Sequence, residues 1–176
     1  MKYFLIETDK RLRNQPEPIN WYKQIDERNV HMGSYNKIKK RNMFKIKPNK
    51  NVEFPDVISF PFFLISNTVR EILKKYSPNV IFKTFIYLDS ENQNYFEYNL
   101  PTLDEIDCLS AESEFNLDRS VIKKIVIDNN KLEDAPLFYI GNVKSRYVIA
   151  RMDFIESVLK KNVKGINLTE IEVINE

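Results

Sequence analysis

Apolar and polar residues change their spacing several times along the chain, and each change marks an element. Residues 2–7 are a run of aromatic and aliphatic side chains that predicts a first strand. Residues 14–42 show no sustained period. The turn-rich stretch from Asn14 to Pro18 and the Met32-Gly33-Ser34 sequence predict an irregular segment, held to the body by Trp21, Tyr22 and Ile25. From Met43 to Lys47, Phe44 and Ile46 alternate with Lys45 and Lys47, the pattern of a strand with one wet face. Residues 54–66 are densely apolar but contain Pro55 and Pro61, which argue against a helix and against a central strand. That stretch is expected to thread the core as an extended segment. Val69, Ile72, Leu73 and Tyr76 then fall at i, i+3, i+4 and i+7, one face of a helix. Thr68 and Glu71 have the spacing of a capping box, Lys74 and Lys75 suit the negative end of the helix dipole, and Pro78 terminates the element.

The second half reads mainly as strands. Residues 80–88 and 95–100 flank the polar turn 89–94 and predict a hairpin, with Phe96, Tyr98 and Leu100 on one face. Residues 105–110 suggest a short strand, and residues 121–127 a strand closed by Asp128-Asn129-Asn130. Residues 137–140 and 146–150 predict a second hairpin around Gly141-Asn142. Met152, Ile155, Val158 and Leu159 form the apolar face of a helix ending near Asn162, and after Gly165 a last strand spans 166–174. Helices inserted among hairpins predict an α+β fold, mostly antiparallel β hairpins with two main helices packed on the sheet. The organisation expected is one domain over residues 1–176, with an irregular basic segment at about 14–52 attached to an α+β body.

Composition narrows the class. With 43% hydrophobic and 12% aromatic residues the chain can bury a core, which argues against disorder over most of its length. Its one cysteine, Cys108, excludes a disulfide within the monomer and a cysteine-rich zinc site, and fits a reducing compartment. Glu7 and Asp9 interrupt the N-terminal apolar run too early for a signal peptide, and the apolar stretch 54–65 is too short to span a bilayer. A cytoplasmic protein without membrane contact is the expectation. The net charge of +2 conceals a segregation: residues 28–52 hold eight basic and no acidic residues, and residues 84–118 hold nine acidic and no basic ones.

Candidate chemistry is sparse. His31 lies in the basic stretch with no carboxylate pair or cysteine near it in sequence, and reads as a surface histidine. The acids around Cys108 would raise its pKa, the wrong direction for a nucleophile. Gly33, Gly141 and Gly165 are too far apart to cradle a phosphate. No catalytic, cofactor-binding or metal-binding residues are assigned, and no cofactor is expected. The acidic stretch could simply solvate the domain, or it could dock a basic partner. In the docking reading Asp89, Glu91, Glu97, Asp104, Glu105, Asp107, Glu112 and Glu114 form the partner-binding set, and Tyr87, Tyr95, Phe96 and Tyr98 add aromatic anchors. The alternative surface is basic, with Lys37, Lys39, Lys40 and Arg41 neutralising phosphates of a nucleic acid and Tyr35 and Phe44 stacking on bases.

Several segments occur in an order that resembles a known family. They are the stretch from Phe54 to Ser66, the run from Ile81 to Asp89, the Leu-Pro-Thr-Leu-Asp-Glu-Ile-Asp-Cys-Leu-Ser segment from Leu100 to Ser110, Asp118-Arg-Ser, the run from Ile122 to Asp128, the stretch from Tyr147 to Ser157, and Gly165-Ile. The set is similar to the bacterial proteins predicted to be immunity proteins of polymorphic toxin systems, the "immunity protein eleven" type. The resemblance implies a mixed, β-rich, non-catalytic cytoplasmic protein that binds and neutralises a toxin encoded beside it. It carries over no catalytic or cofactor residue, and its matching positions are mostly hydrophobic. The basic balance here departs from a strongly acidic inhibitor that caps a basic nuclease.

Overall fold

Each stretch of β-type or helical spacing folds so that its apolar positions are covered. The computed structural model describes residues 1–175, apart from the side chain of Met32. Strand β1 (Tyr3–Thr8) leads into three 3₁₀ turns (Trp21–Lys23, Glu27–Val30 and Met32–Lys37), then β2 (Arg41–Lys45), β3 (Val57–Ile58), β4 (Leu64–Ser66) and helix α1 (Asn67–Tyr76). The chain continues through β5 (Phe82–Asp89), β6 (Asn94–Pro101), β7 (Glu105–Ile106), β8 (Glu114–Phe115), β9 (Ile122–Lys124), β10 (Val126–Asp128) and a 3₁₀ turn at Asn129–Lys131. It ends with β11 (Leu137–Ile140), β12 (Val148–Arg151), α2 (Met152–Leu159) and β13 (Ile166–Ile174).

The fold is α+β. Its strands form a six-stranded sheet in the order β10-β13-β1-β12-β11-β7, a five-stranded sheet in the order β2-β5-β6-β4-β3, and a small β8-β9 ladder. The hairpin pairs β5/β6 and β11/β12 are antiparallel as their spacing predicts. Both larger sheets are nevertheless mixed, because β2 lies parallel to β5, β7 parallel to β11 and β10 parallel to β13. Parallel neighbours need long connections, and all three pairs join segments that are distant in sequence. Hairpin spacing does not reveal such pairs.

Period-two alternation explains the layers. Along β1, Tyr3 and Leu5 face one core while Phe4 and Ile6 face the other. The same split places Phe138 and Ile140 opposite Leu137 and Tyr139 on β11, and Ile149 opposite Val148 and Ala150 on β12. The six-stranded sheet is thus covered on both faces, which is why residues 137–140 read as a continuous apolar run. One face joins the five-stranded sheet and both helices. The other is covered by Cys108, Ile122 and Ile127 from the chain between β7 and β11. Helices α1 and α2 meet through Tyr76, whose hydroxyl donates to the Asp153 carbonyl (2.9 Å) and shares a hydrogen bond with Ser157 Oγ (2.7 Å).

Four local expectations are corrected. The cap of α1 is Ser66, whose hydroxyl accepts from Val69 N (3.4 Å), so Thr68 lies inside the first turn. Strand β4 runs directly into the helix, which starts it earlier than the capping-box spacing implies. That strand is interior, between β6 and β3, because Pro55 precedes β3 and Pro61, after a cis bond, lies in the bend before β4. Neither proline occupies a ladder position. Residues 121–127 are two strands, β9 on β8 and β10 on β13, broken at Ile125. Only Glu105–Ile106 of the expected strand at 105–110 is a strand.

The segment 14–52 contributes Ile25, Val30, Tyr35, Ile38, Phe44 and Ile46 to the main core and a full strand to the five-stranded sheet. Trp21 packs edge-on against Phe60 and Phe62, whereas Tyr22 is exposed and touches only the Trp21 edge among rings.

Gly165 closes the fold. Its φ of 68° lies in the left-handed region, and a Cβ there would stand 2.3 Å from the Pro55 Cβ. Its carbonyl accepts from Asp9 N (2.9 Å), and the preceding Lys164 N donates to the Asp56 carboxylate (2.7 Å). Gly165→Ala is therefore expected to destabilise the protein by at least about 1–3 kcal/mol, from strained backbone and the forced displacement of Pro55. A urea unfolding curve with an unchanged midpoint would contradict this.

Candidate functional site

The end of α1, the start of β5, the loop after β6 and the approach to β11 enclose a cleft of about 690 Å³. Leu73, Tyr76, Val80, Leu103 and Leu137 supply apolar wall, and Lys83, Asp104 and Asp134 supply charge. Lys83 is on the alternation that points toward Tyr35, and its ammonium lies 5.1 Å from the centre of that ring. The Tyr35 hydroxyl donates to the Leu100 carbonyl (2.5 Å), with the Ile81 carbonyl at 3.2 Å, and burial pushes its pKa well above the usual phenol value. The positions of Tyr35 and Lys83 are therefore fixed from below. Asp134 is exposed and pairs with Arg151, which also holds Asp153 (2.7 Å) at the first turn of α2. The Arg151 guanidinium keeps the Asp153 carboxyl below the usual carboxylate range.

Beside the cleft runs the acidic edge. Strand β7 is the outermost strand of the six-stranded sheet, and Asp104, Glu105 and Asp107 are all exposed along it. Tyr139 N donates to the Asp104 carbonyl (2.8 Å), and Gly141 N to the Ile106 carbonyl (2.8 Å), so the backbone that carries the three acids is tied to β11. Asn142 Nδ2 donates to the Asp107 carboxylate (2.8 Å). His31 Nδ1 is hydrogen-bonded to the Glu105 carboxylate, so the histidine read as solitary has a carboxylate partner 74 positions away. Behind this pair the Tyr139 side chain is buried, its phenol pKa raised by burial, and Arg146 reaches across to the Glu27 carbonyl. Tyr35, Lys83 and Arg146 thus help to build the region. Their roles depend on contacts between distant segments, and no local spacing signals them.

The remaining acids do not join this edge. Asp89 is 2% exposed, and its carboxylate accepts from the Asn92 main-chain N (3.2 Å) and side-chain amide (2.7 Å), so it fastens the β5–β6 turn and belongs to no docking surface. Glu91 is exposed on that turn and Glu97 is half-buried on β6. Glu112 and Glu114 are exposed around the β8-β9 ladder and act on Lys124, which is itself bonded to Glu172 (2.8 Å). The contiguous acidic sequence is therefore dispersed over three places. Of the expected aromatic anchors, Tyr87 and Tyr98 are fully buried and Phe96 stacks on Phe54, because all three face the main core; only Tyr95 is open to solvent.

On the basic side, Lys37, Lys39, Lys40 and Arg41 are exposed, while Tyr35 and Phe44, the expected stacking residues, are buried. Among the described residues no three His, Cys, Asp or Glu side chains are grouped so that they could hold a metal ion, and no helix is long and apolar enough to cross a membrane.

Cys108 is fully buried in the second core, and burial raises its thiol to about 11. Native protein is expected to leave a thiol reagent such as DTNB unreacted near neutral pH, with one equivalent reacting after unfolding. Rapid labelling of the native state would contradict that placement.

Compared with models of known protein families, the chain matches none, and no curated protein matches it either.

Proposed function

We propose that this protein acts by binding another protein, and that it is an immunity protein that occludes and neutralises a cognate bacterial toxin in the cytoplasm of the producing cell. The observation that carries the reading is the row of three exposed carboxylates at Asp104, Glu105 and Asp107, on the outermost strand of a rigid sheet and at the wall of an apolar cleft. A fixed acidic edge attracts a basic surface and sets its approach, and an adjoining cleft can take a side chain from it. The resemblance of the ordered segments from Phe54 to Gly165 supplies the choice of a toxin as partner.

Occlusion needs a surface contribution on the order of 800 Å² from each protein, so the acidic edge is the steering part of a larger contact. The reading is tested by mixing the purified chain with the C-terminal domain of the toxin encoded beside it. A stable complex by size-exclusion chromatography, and loss of toxicity on co-expression, are expected. Separate elution together with undiminished toxicity would refute it.

A further inference from the structure

The five-stranded sheet has an outer face that departs from the usual pattern. The inner face is settled by its aromatic contacts: Phe44 meets Phe85 and Tyr87, and Tyr87 meets Tyr98. Alternation then places Arg41, Met43 and Lys45 of β2, Ile86 and Leu88 of β5, and Tyr95 and Glu97 of β6 on the opposite side. The register aligns them in rows, Met43 beside Ile86 beside Glu97, and Lys45 beside Leu88 beside Tyr95. A sheet with one solvated face ordinarily turns polar residues outward. Here Met43 is 53% exposed and Tyr95 64% exposed, with Ile86 and Leu88 half-buried between them.

The charge beside this strip has one sign along β2. Arg28 and Lys47 are taken by Asp26 and Glu17, but Arg41 and Lys45 are exposed, with no carboxylate within salt-bridge reach among the described residues. The backbone is open there too. Lys40 O accepts from Thr84 N and Ile46 N donates to Leu88 O, so the intervening alternation turns the main-chain groups of Arg41 and Met43 toward the edge of the sheet. The chain at 17–19 covers that edge only farther along, where Ile19 N donates to Lys45 O and Pro18 bridges Ile46.

We infer that this outer face is a second protein-docking surface, built for a polypeptide segment that sets acidic side chains over Arg41 and Lys45 and apolar ones over Met43, Ile86 and Leu88. Charge complementarity selects an acidic occupant, and the exposed apolar strip selects a polypeptide over a polyphosphate chain. Glu97 stands in the middle row and opposes phosphates laid across all three strands, whereas a peptide can keep its acids on the β2 side. A single exposed ring, Tyr95, makes a poor stacking platform for successive bases. This surface is independent of the acidic edge at β7.

The test uses the full chain, labelled with ¹⁵N, and a short synthetic peptide that alternates Glu with Leu or Trp. Its counterpart with Lys in place of Glu, and a single-stranded oligothymidylate, serve as the other two probes. The acidic peptide is expected to shift amide resonances of residues 41–45, 84–88 and 94–98, and R41E/K45E to weaken its binding at least about tenfold at low salt. M43D is expected to weaken it as well, with both variants keeping the wild-type melting temperature within a few degrees. Absence of shifts, shifts confined to other elements, equal binding of the lysine peptide, or tighter binding of the oligonucleotide would each overturn the inference.

Discussion

Exchanging the three carboxylates for cations, D104K/E105K/D107K, is expected to slow association with the cognate toxin domain by at least roughly tenfold at low ionic strength. Clustered charge on a rigid surface raises encounter rates by about 10–10³, and reversal turns the same field against the partner. The dissociation rate should change less, because steering acts before the close contacts form. The rate difference should also shrink as salt is added, since screening acts over about 8–10 Å at physiological ionic strength. Stability should stay near that of the parent protein. All three side chains are exposed, and the one ion pair lost, His31 with Glu105, is a surface pair of a kind that contributes about 0–1 kcal/mol. Stopped-flow or surface plasmon resonance kinetics, beside a thermal melt, separate the two effects. An unchanged association rate would remove the acidic edge from the interface.

The largest loss of stability is expected from Phe85→Ala, at about 3–5 kcal/mol. Phe85 is fully buried at the centre of β5, with its ring 5.7 Å from Phe44 and 5.4 Å from Phe62. It therefore ties the five-stranded sheet to the segment before β4. Deleting the ring removes apolar burial and leaves a space that a sheet anchored on both sides cannot close. The neighbouring exposed Tyr95 provides the contrast: Tyr95→Ala should alter stability by only about 0.5 kcal/mol, as is usual for surface positions. Urea unfolding of the two variants measures both. A Phe85→Ala protein as stable as its parent would mean that the ring is not where the core requires it.

What the sequence revealed about the fold follows from which interactions are local. Alternation at 82–101 and 137–151 and the i, i+3, i+4 pattern of α1 and α2 are properties of neighbouring residues, so the hairpins and helices were legible. The parallel pairs β2/β5, β7/β11 and β10/β13 were not, since they depend on chain closure over long distances. Proline was a misleading signal at 54–66 because its veto applies to ladder positions, and Pro55 and Pro61 fall outside them. The site was legible in part. Asp104, Glu105 and Asp107 are exposed and adjacent as their spacing suggested. Asp89 has the same charge and a similar setting in sequence, yet it is buried as a turn fastener, and composition has no means of distinguishing the two. Tyr87, Tyr98 and Phe44 were read as contact residues because aromatic side chains suit both cores and interfaces. Only the pairing register assigns them to the inner face and leaves Met43 and Tyr95 outside.

The account rests on this protein working through a surface that seals a toxin. The most direct measurement is the growth of cells that express the toxin domain of the neighbouring gene, with and without this chain, together with recovery of both proteins after affinity purification of one. Restored growth and co-recovery in equal amounts are predicted, both impaired by D104K/E105K/D107K. Continued killing while the folded chain is abundant and unattached would contradict the account.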